Sequence, residues 1–170
     1  MNAKAKDAIK NVAVLCVIAL VSGLLLGLVN HFTAVDPKAE AVARFQKLLP
    51  KEGGYTLVAE NEGDVLFVAE SGDTVALLSK GKGGFKGEVQ TFVFFEKGKI
   101  VLVAAGENGE TYMHKLSEKG YYQAFYGWDG SKPLQVDAVT GATRSSTAVK
   151  NAVTAAADYY NLHYGEGANG

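Results

Sequence analysis

Cysteine is almost missing from this chain: Cys16 is the single example among 170 residues. A lone thiol closes no internal disulfide, holds no iron–sulfur cluster and builds no structural zinc site. It sits early within an apolar run rather than after one, so it does not fit a lipid-modified cysteine, and it reads as a small buried apolar residue. Histidine is nearly as scarce. His31, His114 and His163 are the three present, and none has a companion at metal-ligand spacing. We therefore expect no metal site. An excess of one charge is lacking too, with 17 basic and 18 acidic residues and a net charge of −1. Such a balance gives no electrostatic case for nucleic acid. There is no internal repeat and no low-complexity tract. The length suits one globular domain with a short appendage.

Charge disappears altogether from Val12 to Val29, where only Cys16, Ser22, Gly23 and Gly27 interrupt the large apolar residues. About 20 such residues suffice to cross a bilayer core, and there the backbone must bond within its own helix. A cleaved signal has a shorter apolar region, about 7–15 residues, and a small-x-small exit. Here the run is longer and Phe32 stands where a small residue is wanted, so a retained anchor is expected. Lys4, Lys6 and Lys10 against Asp7 orient the N-terminus to the cytoplasm. The expected protein is thus a single-pass one of the inner or plasma membrane. Residues 1–11 are cytoplasmic, 12–32 span, 33–54 form a connecting helix, 55–164 an extracytoplasmic domain, and 165–170 a frayed tail. Removing the three lysines and one aspartate of the first 35 residues leaves the outer part at net −3, with no polybasic patch for an anionic lipid face.

Asp36-Pro37 suits a helix start, and Ala39, Val42, Phe45, Leu48 and Leu49 follow at helical spacing until Pro50 and Gly53-Gly54. From Tyr55 the period changes. Residues 55–59, 65–70, 74–79, 88–95 and 100–105 are short β-rich runs, separated by Asn61-Glu62-Gly63, Ser71-Gly72-Asp73 and Lys97-Gly98. The last two runs read as a hairpin. Gly81–Gly87 is a connector or a cofactor-facing loop. Tyr112, Tyr121, Tyr122, Phe125, Tyr126 and Trp128 cluster, for core packing or for stacking on a ring. A final helix is expected over 145–162, with Val149, Ala152, Val153, Ala156 and Tyr160 on one face. A mostly antiparallel sheet with segregated helices is an α+β domain.

Just before that helix stands Asp137-Ala138-Val139-Thr140-Gly141-Ala142-Thr143-Arg144-Ser145-Ser146-Thr147. On physical grounds it is a turn feeding a helix, with Thr140 or Thr143 as a capping hydroxyl. The free amides at a helix start also welcome a phosphate, and Arg144 would add a directional cation. Thr140, Ser145, Ser146 and Thr147 add further hydroxyls. An ordinary helix cap and an anion site both fit.

The run D-x-x-T-G-A-T-x-S-S resembles the flavinylation motif of the FMN-binding domain family. That family includes the G subunit of the Rnf ferredoxin:NAD oxidoreductase and the C subunit of the sodium-pumping NADH:quinone oxidoreductase. The resemblance implies that a separate flavin transferase, using a divalent metal, moves FMN from FAD onto Thr143 as a phosphoester. Asp137, Thr140, Gly141 and Ala142 match the remaining motif positions. Arg144, Ser145 and Ser146 are expected around the phosphate. Other features are similar to the family: the single N-terminal apolar helix, Leu48-Leu49-Pro50, the glycine-rich lead into a strand, and Gly98-Lys99-Ile100. Glu110-Thr111 looks like the family's Glu-Thr pair before a flavin-contacting loop. Where the family usually continues Pro-Gly-Leu-Gly, this chain has Tyr112-Met113-His114-Lys115.

What the resemblance implies is an electron-carrier subunit with covalent FMN and no independent catalytic site. Its partners would be the other membrane subunits of an Rnf-like ion-translocating complex. Two other readings stand beside it: an anchored binding module without a redox role, and a stand-alone flavoprotein of extracellular electron transfer.

Overall fold

The computed structural model describes residues 3–33 and 36–165, so most of the expected frayed tail, residues 166–170, lies outside the described residues. The chain divides into two units, Met1–Asp36 and Pro37–Gly170.

In the first unit a single helix, α1, runs over Ala3–Thr33. Among the described residues it is the one helix long and apolar enough to cross a membrane, over the 24 residues Ile9–Phe32. At 1.5 Å per residue that stretch is about 36 Å long, against a hydrocarbon core of about 30 Å. Its side chains from Ile9 to Phe32 are exposed all round, with no stripe buried against protein. A helix apolar on every side is that of a membrane anchor or a signal.

The second unit opens with α2, Pro37–Leu48. Its buried positions are Ala41 and Phe45, while Ala39, expected on the apolar face, is exposed. Starting the helix at Pro37 puts Ala41 one turn before Phe45, and that pair meets the sheet. Five strands follow: β1 Thr56–Glu62, β2 Val65–Ser71, β3 Thr74–Gly81, β4 Val89–Glu96 and β5 Lys99–Ala105. They form an antiparallel meander in the order β1-β2-β3-β4-β5. β1 runs through Asn61 and Glu62, which were expected in a turn, because Glu62 pairs with Val65 and leaves only Gly63-Asp64 to reverse the chain. At the β4–β5 turn Lys97 and Gly98 both take positive φ, +49° and +79°. Two such residues make the tight turn whose twist matches paired strands. Beyond the sheet come α3, Met113–Glu118, a 3₁₀ helix at Tyr121–Phe125, and α4, Thr143–Tyr164. The fold is α+β.

Both faces of the sheet are covered. Ala69, Ala76, Leu78, Phe92 and Phe94 point to α2, where Phe45 is fully buried and meets Phe92 and Phe94 edge-on at 5.5 and 5.8 Å. Val68, Val75, Leu77, Val89, Val93 and Phe95 point the other way, to Val149, Val153, Ala156 and Tyr160 of α4. Burial on two sides explains why Thr91–Phe95 is a continuous bulky run rather than an alternating one. The Phe95 and Tyr160 rings stack at 4.3 Å.

Alanines let α4 come very close to β3. The Ser79 hydroxyl donates to the Ala152 carbonyl at 2.8 Å. At Gly81 a Cβ would run into the Ala148 carbonyl oxygen and the Ala152 amide nitrogen. Neither backbone can yield without moving a whole element. Overpacking of this kind costs about 1–3 kcal/mol or more. Gly81→Ala is therefore expected to lower the unfolding free energy by at least that amount, read as a fall in the urea midpoint with an unchanged slope. Retention of the wild-type midpoint would show that the helix is not seated on that glycine.

Candidate functional site

The start of α4 is built by a turn rather than by a capping side chain. The Ala142 amide donates to the Val139 carbonyl at 2.9 Å, and Gly141 between them has φ +78°. A positive φ at the third position of a turn is the conformation glycine adopts without strain. The N-cap residue is the buried Ala142, with no side-chain cap. The capping expected from Thr140 or Thr143 is not made, since Thr140 lies within the turn and Thr143 is already the first helical residue. Ser146 closes the corner from behind instead. Its Oγ accepts from the Val139 amide at 3.2 Å and donates to the Thr143 carbonyl at 2.9 Å.

These bonds decide which groups remain for a ligand. A hydroxyl has one proton to donate. Ser145 donates its proton to the Glu110 carboxylate, Ser146 and Thr147 to the Thr143 carbonyl. Three of the hydroxyls expected around a phosphate are thus committed to the protein, and Ser145 and Ser146 are buried. Thr140 and Thr143 are exposed, and neither hydroxyl has a hydrogen-bond partner among the described residues. The amides of Thr143, Arg144 and Ser145 begin the helix and have no intrahelical acceptor. Arg144 is exposed and forms no ion pair among the described residues. Asp137 and Thr111 are exposed as well, and the same holds for their polar side-chain atoms.

Glu110 draws the glycine-rich loop onto this helix start. One carboxylate oxygen accepts from the Lys86 amide at 2.6 Å, the other from the Ser145 hydroxyl. Burial acts to raise the Glu110 pKa, but the Lys86 amide, the Ser145 hydroxyl and the Phe85 amide outweigh it and hold it below the usual glutamate range. Asn151 ties the loop a second time, donating to the Lys82 carbonyl at 2.9 Å. Phe85 at the loop's tip remains 71% exposed.

Two groups with no expected place at the helix start complete the surroundings. The Tyr121 hydroxyl, its pKa pushed up to about 12 chiefly by burial, donates to the Ser146 carbonyl at 2.8 Å. Lys115, on α3, brings its ammonium to 4.5 Å from the Tyr112 ring centre and against Gly141. Among the aromatics, Tyr121, Tyr122 and Phe125 are core, whereas Tyr112 is about half exposed. Among the described residues no cluster of three or more His, Cys, Asp or Glu is arranged to hold a metal.

An exposed, uncommitted hydroxyl beside three free amides and unpaired cations is chemically suited to a phosphate group. The exposed rings of Phe85 and Tyr112 offer apolar surface for a flat heterocycle. Residues 84–158 match the family model described as FMN-binding domain, a span from the glycine-rich loop through Glu110 and the turn into α4. A comparison with curated proteins finds no match.

The Glu110 knot carries a pH signature. Its folded pKa is lowered, so its contribution is complete above the unfolded glutamate value and is lost as pH falls through the folded value. Glu110→Gln should therefore be less stable than wild type at pH 6–7, with the two denaturation curves converging towards pH 3. A gap that stays constant over that range would contradict the assignment.

Proposed function

We propose that this chain, whose residues 84–158 are those of an FMN-binding domain, is a membrane-anchored electron-transfer subunit carrying its FMN as a phosphoester on Thr143. The observation that carries this reading is the state of the Thr143 hydroxyl. It is exposed, has no partner among the described residues, and leads a helix whose first amides are free. Bound FMN supplies one-electron chemistry, and the protein supplies position and electrostatics. The first-turn amides, the Thr140 hydroxyl and Arg144 are the groups for the phosphate. Glu110 holds the loop that carries Phe85 against the same helix, and Gly141 and Ala142 shape the turn. Asp137, exposed on the approach to that turn, belongs with Thr111 to the surface a transferase would read.

The attachment balances simply. The Thr143 oxygen forms a bond to the FMN phosphorus of FAD, the pyrophosphate P–O bond breaks, AMP leaves, and the threonine proton passes to the transferase. No self-contained nucleophile activation is needed in this chain. The α1 helix serves as anchor, with the N-terminus cytoplasmic and the domain outside, and the native partners are membrane subunits of an Rnf-like ion-translocating complex. A covalent bond keeps the cofactor where no free flavin pool can replace it.

Co-expression with a flavin transferase should add the mass of FMN less one water to the peptide containing Thr143. Thr143→Ala should abolish the addition. Because this side chain makes no bond in the fold, the substitution should change stability by no more than about 0.5 kcal/mol. An unmodified wild-type chain beside an active transferase would overturn the proposal. Purification from the native membrane should bring the partner subunits with it.

A further inference from the structure

α3 carries one cation into the attachment turn. The Lys115 ammonium lies 3.0 Å from where a Cβ of Gly141 would begin. Gly141 is needed for its positive φ, and its missing side chain leaves the room that the ammonium occupies. The same ammonium stands over the Tyr112 ring, a contact that fixes a chain of otherwise high rotamer freedom. Lys115 is only partly exposed, and among the described residues no carboxylate lies within ion-pair distance of it. A lysine normally extends into water. This one is held inward, without a counter-ion among the described residues, against Gly141, which stands two residues before Thr143.

The geometry points to Lys115 as the binding residue for the phosphate oxygen of a flavin ester on Thr143. This inference rests on the function proposed above. A phosphodiester keeps one negative charge, and three nearby hydroxyls have already committed their protons to Glu110 and to the Thr143 carbonyl. The donors left are first-turn amides, Thr140 and cations. Arg144 is exposed at the rim, whereas Lys115 is fixed by the ring and the turn. A charge-assisted bond of this type is about twice as strong as a neutral one.

The test uses the full chain, flavinylated by co-expression and solubilised in detergent. The ³¹P resonance of the Thr143 ester is compared at about pH 7 in wild type, Lys115→Met and Lys115→Arg. The Lys115→Met resonance should lie away from the wild-type position, because its phosphate has lost a charged donor. Lys115→Arg, whose guanidinium is charged, should fall closer to wild type. Lys115→Met should also slow flavin attachment about tenfold, with Lys115→Arg retaining most of the rate. A Lys115→Met resonance at the wild-type position, or equal loss of attachment in both variants, overturns the assignment, since the cation then makes no difference. Near-ultraviolet circular dichroism of the unflavinylated variants should match wild type, and a lost signal would make Lys115 a folding residue and refute its role at the phosphate. Flavin-free wild type would sink the proposed function as well, whereas a flavinylated wild type whose resonance is unchanged by Lys115→Met sinks only the role of Lys115.

Discussion

Everything at the candidate site depends on how closely α4 lies on β3. Gly81 has no side chain, Ala148 and Ala152 have short ones, and Ser79 reaches across to a helix carbonyl. Two backbones are therefore in direct contact with almost nothing between them. This fixes the height of the helix above the sheet far more tightly than interdigitating leucines would, because backbones do not change rotamer. Farther along, the stacked rings of Phe95 and Tyr160 set the helix direction. The residues at the helix start inherit their place from these contacts. Thr143 is exposed because Val149, Val153 and Ala156 are buried on the opposite side.

From that seat the rest of the site is assembled by backbone and carboxylate rather than by catalytic side chains. Gly81 ends β3 against the helix, so the loop that follows must pass the helix start. Glu110 then holds it there, with loop amides on one oxygen and Ser145 on the other. The carboxylate accepts on both oxygens, which is why its proton is held less firmly than usual despite partial burial. The helix has its own contacts with the sheet, so the knot trims the loop's freedom rather than seating the helix. Phe85 is thereby presented at a defined place while staying in solvent.

Much of this was legible in the residues, and what was not has a common cause. Strands showed because local chemistry announces them: Gly72-Asp73 and Lys97-Gly98 can hardly be anything but turns, and the α+β class followed. The buried stripe of α4 showed because its period is local too. Ala41 was missed in favour of Ala39, since one residue of helix phase depends on where the sheet lies. The cap at residue 142 was missed because hydroxyl residues are favoured there, and only the Val139–Ala142 turn and Ser146 make an alanine sufficient. Glu110 bonds to a serine 35 residues away, and no spacing rule predicts that. Lys115 was seen only as part of a departure from a family pattern, while its nearness to Gly141 belongs to the tertiary fold.

The commitment of hydroxyls also bears on selectivity. Between Thr140 and Thr147 five side chains carry an alcohol of nearly equal intrinsic reactivity. A transferase reading that segment in an unfolded chain would have five acceptors to choose from. Folding removes three: Ser145 and Ser146 are buried, and Thr147 is bonded back to the helix. Thr140 is left on the turn, outside the helix that starts at Thr143. Thr143 combines exposure, an uncommitted hydroxyl and a position at the positive end of the helix dipole, where a phosphate is stabilised once attached. Under the function proposed above, a chain folded before modification would thus narrow five alcohols to one by geometry, and a transferase would need to recognise little more than the turn.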